Sequence, residues 1–315
     1  MPVPPAPDAL PAPAPPAAAA SSRLAGIGLI CAAFFVFAVL DATVKWLGSH
    51  LNAMEIVWAR YMGQFVLSCA VLNPWVTPGV WRTGRPVLQV VRSLLLLGTT
   101  LGNFYALQYL QLDQTISITF SMPFFVALLA GPILGEWIGL RRWMAIMVGF
   151  SGVLLVVRPG VADIHPAILA SLASAVCYAL YNVTTRLLAA TDSTATTMFY
   201  SSSLGAGLTS LTLPWVWSAP EGAAVLGNLA LTGLYGGIGH LLLVLAHRRA
   251  PAAVLAPFLY TEIIWMVLAG WVIFGQTPTL WTLAGAGVVI ASGLYLITRE
   301  RADRADRAIE ATVGD

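Results

Sequence analysis

Charge is the first thing this chain is short of. Its 315 residues carry 16 Lys and Arg and 14 Asp and Glu, 10% in all, where soluble domains carry roughly 25%. That scarcity excludes an ordinary soluble fold. Cysteine is scarce as well. Cys31, Cys69 and Cys177 all fall inside apolar runs, where a thiol is ordinarily a small buried hydrophobe rather than a disulfide partner or metal ligand. The four histidines, His50, His165, His240 and His247, are separated by loops or whole apolar runs, and no His-Glu-x-x-His occurs. Metal-dependent hydrolysis therefore has no constellation to support it. No G-x-x-x-x-G-K-[ST] and no G-x-S-x-G is present, so neither a nucleotide-driven pump nor a serine hydrolase shows its signature. No enzymatic activity and no cofactor is expected. The net charge is only +2, with the basic residues in short clusters, and this excludes the broad basic patch of a nucleic-acid partner.

What the chain has instead is apolar length: 58% of it is hydrophobic. A spanning helix needs about 20 mostly apolar residues, and the 275 residues between Arg23 and Arg299 accommodate ten spans with their loops. Apolar runs bounded by charge, proline and glycine fall at 24–47, 54–72, 88–109, 114–133, 143–157, 166–187, 195–213, 226–246, 251–273 and 280–298. The expected fold is an all-α polytopic membrane protein of ten transmembrane helices. Residues 1–22 hold eight prolines and eight alanines, a composition expected to remain a disordered tail. Residues 299–315 form a charged tail whose Glu300/Arg304 and Asp303/Arg307 spacings suit a solvated helical extension. With a cytoplasmic N-terminus, thirteen Lys and Arg, Arg92 among them, flank the inner side, while Lys45 and Arg158 flank the outer side. The asymmetry predicts both termini cytoplasmic.

The chain also repeats itself. Leu134-Gly135-Glu136, followed by Gly149, Gly152 and Arg158, recurs as Phe274-Gly275-Gln276, followed by Gly287, Gly293 and Arg299. At a similar offset Asp41 and Lys45 fall on Asn182 and Arg186, and Gly102-Asn103 on Gly239-His240. Two five-span units, 24–158 and 165–298, are expected. Because five is odd, the second unit enters the membrane from the opposite side, the inverted repeat of many secondary transporters.

Leu40 to Trp46, Trp58-Ala59-Arg60-Tyr61, Leu134-Gly135-Glu136, Gly149 to Val153 and Ala256-Pro257-Phe258-Leu259-Tyr260 resemble the EamA-type branch of the drug/metabolite transporter superfamily. The resemblance covers about 24–298. It implies a bacterial inner-membrane carrier that moves small organic metabolites by alternating access without ATP, in either direction. Its members carry cargo as different as amino acids, S-adenosylmethionine and riboflavin. Gln276 departs from the usual Gly-Glu ending of the second repeat. The rival from another class is a non-transporting membrane scaffold or sensor, although only a short charged tail follows the last span.

An ionisable residue within the hydrocarbon is costly enough to be read as functional. Asp41 and Lys45, four apart in the first span, share a helical face and form either a structural ion pair or one edge of a substrate cavity. Arg60, two turns into the second span, would hold an anionic cargo group or pair with Asp41 or Glu55. Asn103 is a cavity ligand or an interhelical hydrogen bond, and His240, in the matching region of the eighth span, a structural histidine or a proton carrier. Glu262 lies eleven residues beyond Pro251, about 17 Å along a continuous helix and near the middle of a layer about 30 Å thick. It is expected to be a proton carrier, a neutral hydrogen-bond donor or the seat of a cationic substrate. Pro123 and Pro257 interrupt the fourth and ninth spans, as where transporter helices bend around a midplane site. Tyr105, Tyr178, Tyr181, Phe258, Tyr260 and Trp265 lie away from the interfaces and are available to stack on a planar substrate. Gly98/Gly102 and Gly233/Gly237 offer close helix approach. The expected partners are thus a small-molecule substrate, the lipid bilayer and protons.

Overall fold

The computed structural model describes residues 16–72, 79–135, 139–158, 165–250 and 252–313, and every regular element among them is helical. The first half runs α1 (Pro16–Leu47), α2 (Ala53–Leu72), α3 (Pro86–Tyr109), α4 (Leu112–Thr119), α5 (Met122–Leu134) and α6 (Leu140–Val157). The second runs α7 (Pro166–Leu188), α8 (Thr194–Val216), α9 (Ala223–Arg249), α10 (Ala252–Leu255), a 3-10 turn (Ala256–Tyr260), α11 (Thr261–Phe274) and α12 (Leu280–Val313). Helix α1 begins at Pro16, inside the segment expected to be a disordered tail. Proline is at home in a first turn, and Ala17 to Ala20 are the best helix formers. Residues 1–15 of that tail, and Glu136 of the repeated ending, lie outside the described residues.

The fourth and ninth apolar runs are not single helices. Pro123 lacks the amide hydrogen that would continue α4, so the chain breaks at Phe120-Ser121 and restarts as α5. Pro257 does the same within the 3-10 turn before α11. Glu262 is therefore the second residue of α11, not the eleventh of an unbroken helix. The glycines of the two repeated endings also match: Gly135 has φ +72° and Gly275 φ +64°. Both occupy the left-handed conformation that closes a helix and that glycine adopts without strain.

Five described segments, 22–47, 86–109, 166–188, 223–249 and 257–274, are each long and apolar enough to cross a membrane. Helices α2 and α8 are long but more polar, because their polar side chains face inward. Glu55, Arg60 and Gln64 of α2 and Thr196, Ser201, Ser202 and Thr209 of α8 are buried. Large apolar side chains point the other way, among them Val90, Leu94, Leu241, Val272 and Ile273. A polar interior inside an apolar exterior is the arrangement of a chain whose solvent is lipid.

Helix α2 packs on α8 and α9, α3 on α7 and α8, α1 on α9 and α11, α5 on α7, and α6 on α12. Small residues set the distances. A Cβ on Gly63 would meet the Gly233 Cα at 2.7 Å, and one on Gly102 the Ala170 carbonyl oxygen at 2.7 Å. Cys177 faces Gly98 and Leu67 faces Gly237, so both predicted glycine pairs are helix crossings.

Two carboxylates fasten opposite ends of the bundle. Glu55, at the start of α2, is fully buried. It accepts hydrogen bonds from the Ser218 amide, from Ser218 Oγ at 2.9 Å and from the Asn52 amide at 3.0 Å. At the other end Asp192, just before α8, accepts from Thr83 Oγ1 at 2.5 Å, Gln89 Nε2 at 2.6 Å and the Gly84 amide at 3.2 Å. Burial alone would raise the Asp192 pKa, but these donors outweigh it and hold the carboxyl below its ordinary value. Each carboxylate stands at the start of one of the paired helices α2 and α8 and grips the segment that follows the other.

Candidate functional site

Polar side chains from five helices converge at the middle of the bundle. On α1, Asp41 accepts two long contacts from Asn103 Nδ2 of α3, at 3.4 and 3.5 Å. On α2, Arg60 is 6% exposed and donates from Nη1 to Thr100 Oγ1 of α3 at 3.2 Å. Its guanidinium lies over the rings of Tyr61 and Phe104, at 5.0 and 5.8 Å. The Arg60 Nε–H has no partner among the described residues, and Gly236 of α9 lies against it. Glu262, in the first turn of α11, likewise makes no hydrogen bond among the described residues.

These groups act on one another through space. Asp41 is within Coulombic reach of Arg60, and Glu262 is within that of Asp41. Glu262 also reaches Tyr178, which stacks on Tyr181 with centroids 5.8 Å apart and planes 16° apart. Two carboxyls, an arginine whose Nε–H is unbonded among the described residues and a stacked tyrosine pair are thus linked pair by pair through this electrostatic reach. Like carboxyls in such a region are relieved by a shared proton or by a bound cation.

Of the two readings of the Asp41 and Lys45 spacing, the ion pair is not formed. Lys45 Nζ instead donates to the carbonyls of Leu110, at 2.5 Å, and Leu107, at 3.1 Å. These are terminal carbonyls of α3 that have no partner within the helix, and the negative end of a helix dipole attracts an ammonium. Lys45 also lies 5.7 Å from the Phe274 ring centroid, so it closes one end of the bundle and leaves Asp41 to Asn103. Arg60 pairs with neither Asp41 nor Glu55, because Ser218 and Asn52 already occupy Glu55.

The expected aromatic set divides. Tyr181 joins the centre through Tyr178 and through Arg92. Phe258 packs with Ile30 and Phe34 on the α1/α9 side. Trp265 stands edge-on to Phe35, 5.1 Å between centroids, in a groove of about 560 Å³ between α1 and α11. Tyr260 faces Phe120 at 5.1 Å beside a cavity of about 190 Å³, where the two broken helices meet α6 and α12. Phe258, Tyr260 and Trp265 thus each line a different surface of the bundle. Tyr105 is exposed beside Tyr109. His240 packs edge-on against Phe37 at 5.2 Å, with Arg60 and Arg92 in electrostatic range.

Sequence reasoning missed Arg92, which it placed on a membrane flank. Arg92 is 4% exposed. It donates to Thr185 Oγ1 at 2.7 Å, Ser201 Oγ at 2.6 Å, the Thr197 carbonyl at 3.2 Å and the Tyr181 hydroxyl at 2.7 Å, and stacks on the Tyr181 ring. The signal was its depth. Arg92 lies six residues into α3, almost as deep as Arg60 in α2.

The profile of the EamA-like transporter family matches residues 24–158 and again residues 165–299. The chain is 28% identical to an S-adenosylmethionine uptake transporter of Rickettsia felis, over 90% of this chain and 96% of that one. It is 27% identical to a riboflavin transporter of Rhizobium johnstonii, over 84% and 88%. It is 28% identical to the pseudopaline exporter CntI of Pseudomonas aeruginosa, over 88% and 96%. One solved crystal structure shares the fold with a TM-score of 0.60 at 18% identity, covering 87% of this chain and 96% of that one.

Proposed function

The chain belongs to the EamA-like transporter family, a transporter of small metabolites and not an enzyme, and from that premise we propose how it works. Residues 24–158 and 165–298 form two inverted five-span repeats that rock about a central site, with both termini on the cytoplasmic side of a bacterial inner membrane. The packing supports the inverted repeat. Under exchange of the halves, α1 on α9 becomes α7 on α3, α2 on α9 becomes α8 on α3, and α1 on α11 becomes α7 on α5. The α2–α8 and α6–α12 contacts become themselves. The Glu55 and Asp192 fastenings exchange in the same way, as do the positive-φ glycines.

One observation carries the cargo reading: Arg60 is buried with its Nε–H unbonded among the described residues, Asp41 lies within its Coulombic reach, and Glu262 lies within that of Asp41 and of Tyr178, which stacks on Tyr181. The matching solute has a cationic centre for the carboxyls, a carboxylate for the arginine and a planar ring for the tyrosines. S-adenosylmethionine, the cargo named for several relatives, has all three. Glu262 either holds a proton or faces the cation, which couples cargo movement to proton movement, and His240 is the alternative proton site.

Purified protein in liposomes tests this reading with radiolabelled S-adenosylmethionine. Accumulation should follow an imposed pH gradient in the parent. Glu262→Gln should abolish gradient-driven accumulation and retain exchange of labelled for unlabelled solute. Accumulation that persists in Glu262→Gln moves the coupling to His240, and no uptake by the parent refutes the cargo class.

A further inference from the structure

A groove of about 240 Å³ runs along the outside of α2, α8 and α9, away from the central site. Leu67 and Val71 of α2, Met198 of α8, and Leu241 and Leu245 of α9 wall it. At its mouth stand Arg248 and the first residues of α8, Thr194 and Ala195. Arg248 is exposed and has no polar partner among the described residues. At the other end Gln64, 5% exposed, closes the groove with its Oε1 unbonded among the described residues, a polar floor that an apolar chain does not pass.

The length of the groove identifies its occupant. Leu67 faces Gly237 near the floor, and Arg248 lies eleven residues further along α9, about 16 Å at 1.5 Å per residue. One leaflet of a hydrocarbon layer about 30 Å thick has that depth. The groove is thus a slot one leaflet long, apolar along its walls and positive at the level of the headgroups.

We propose that it binds one acyl chain of an anionic glycerophospholipid, whose phosphodiester rests on Arg248 beside Thr194. Charge complementarity selects the anionic headgroup, because the mouth presents the Arg248 guanidinium and the Thr194 hydroxyl with no carboxylate among the lining residues. The lipid bridges the two family repeats, since α2 comes from the first and α8 and α9 from the second. The site depends on the family assignment only for the presence of a bilayer and is independent of the cargo.

Native mass spectrometry of the full-length protein tests the site without transport. Protein released from mixed micelles should retain phosphatidylglycerol over phosphatidylcholine of the same chain length. Arg248→Ala should reduce that preference about fivefold, as expected for one basic residue at a membrane surface. Ala195→Phe should block the mouth and lower retention with Arg248 intact, and Arg141→Ala, an exposed basic residue outside the groove, should leave retention at the parent level. Melting temperatures near the parent's confirm that the variants are folded. Equal retention in the parent, Arg248→Ala and Ala195→Phe overturns the proposal, and so does an equal loss in Arg141→Ala, since either result marks non-specific surrounding lipid. Parent-level lipid selectivity with no uptake of S-adenosylmethionine would leave this site standing and remove the cargo reading alone.

Discussion

Replacing Arg92 separates the surface role its sequence position suggests from the buried role its contacts show. Its guanidinium makes hydrogen bonds to Thr185, Ser201, the Thr197 carbonyl and Tyr181. Hydrogen bonds to a charged group contribute about 1.5–3 kcal/mol each, and burial of the cation offsets several kcal/mol of their sum. A net loss of about 2–5 kcal/mol is expected for Arg92→Ala, the range found when one partner of a buried charged network is truncated. At about 2–4 °C per kcal/mol for chains of this order of size, the apparent melting temperature should fall by roughly 5–15 °C. Arg92→Lys keeps the charge but loses the planar fork, so it should recover only a minor part. The assay is thermal unfolding in detergent, followed by tryptophan fluorescence, with Arg82→Ala and Arg85→Ala alongside. Both reference arginines are exposed, and surface changes of that kind stay within about 0.5 kcal/mol. If Arg92→Ala melts with Arg82→Ala and Arg85→Ala, the buried network contributes nothing and the flank reading returns.

Arg60→Lys should weaken cargo binding in liposomes while the protein inserts normally, because charge remains and directional donation is lost; parent-like transport would make the arginine structural. Asp192→Asn should lower the melting temperature near neutral pH. In the parent the depressed Asp192 pKa contributes stability that is present above the unfolded value and lost as pH falls through the folded one. The gap between parent and Asp192→Asn should therefore narrow below about pH 4, and a gap constant from pH 7 to pH 3 would remove Asp192 from the fastening. Reporter fusions after Arg85, Arg142, Arg186 and Arg249 should read cytoplasmic, and those near His50, Asp163 and Glu221 periplasmic; a half that reads the same way as the other would refute the odd repeat.

Composition and periodicity determined a good deal by themselves. An apolar run of spanning length has to satisfy its own backbone and therefore becomes a helix, so the runs, the duplicated endings and the breaks at Pro123 and Pro257 are legible in one dimension. Partners are not. Lys45 sits four residues from Asp41, yet it turns to the carbonyls at the end of α3, because an unsatisfied helix terminus brought within reach outcompetes a neighbour on the same face. Arg92 looked like a flank because charge near a helix end is cheap in general, and only the packing of α3 between α7 and α8 showed that its depth is buried. Glu262 kept its place in the sequence but changed its setting, since the break before α11 put it at a helix start. Phe258 and Trp265 share a segment with Glu262, but Phe258 packs with Ile30 and Phe34 and Trp265 stands edge-on to Phe35, all on α1. The sequence determined which segments are helices and which charges are costly; the tertiary structure decided which of those charges meet, because contacts between residues sixty to a hundred positions apart depend on the crossing of helices and not on spacing along any one of them.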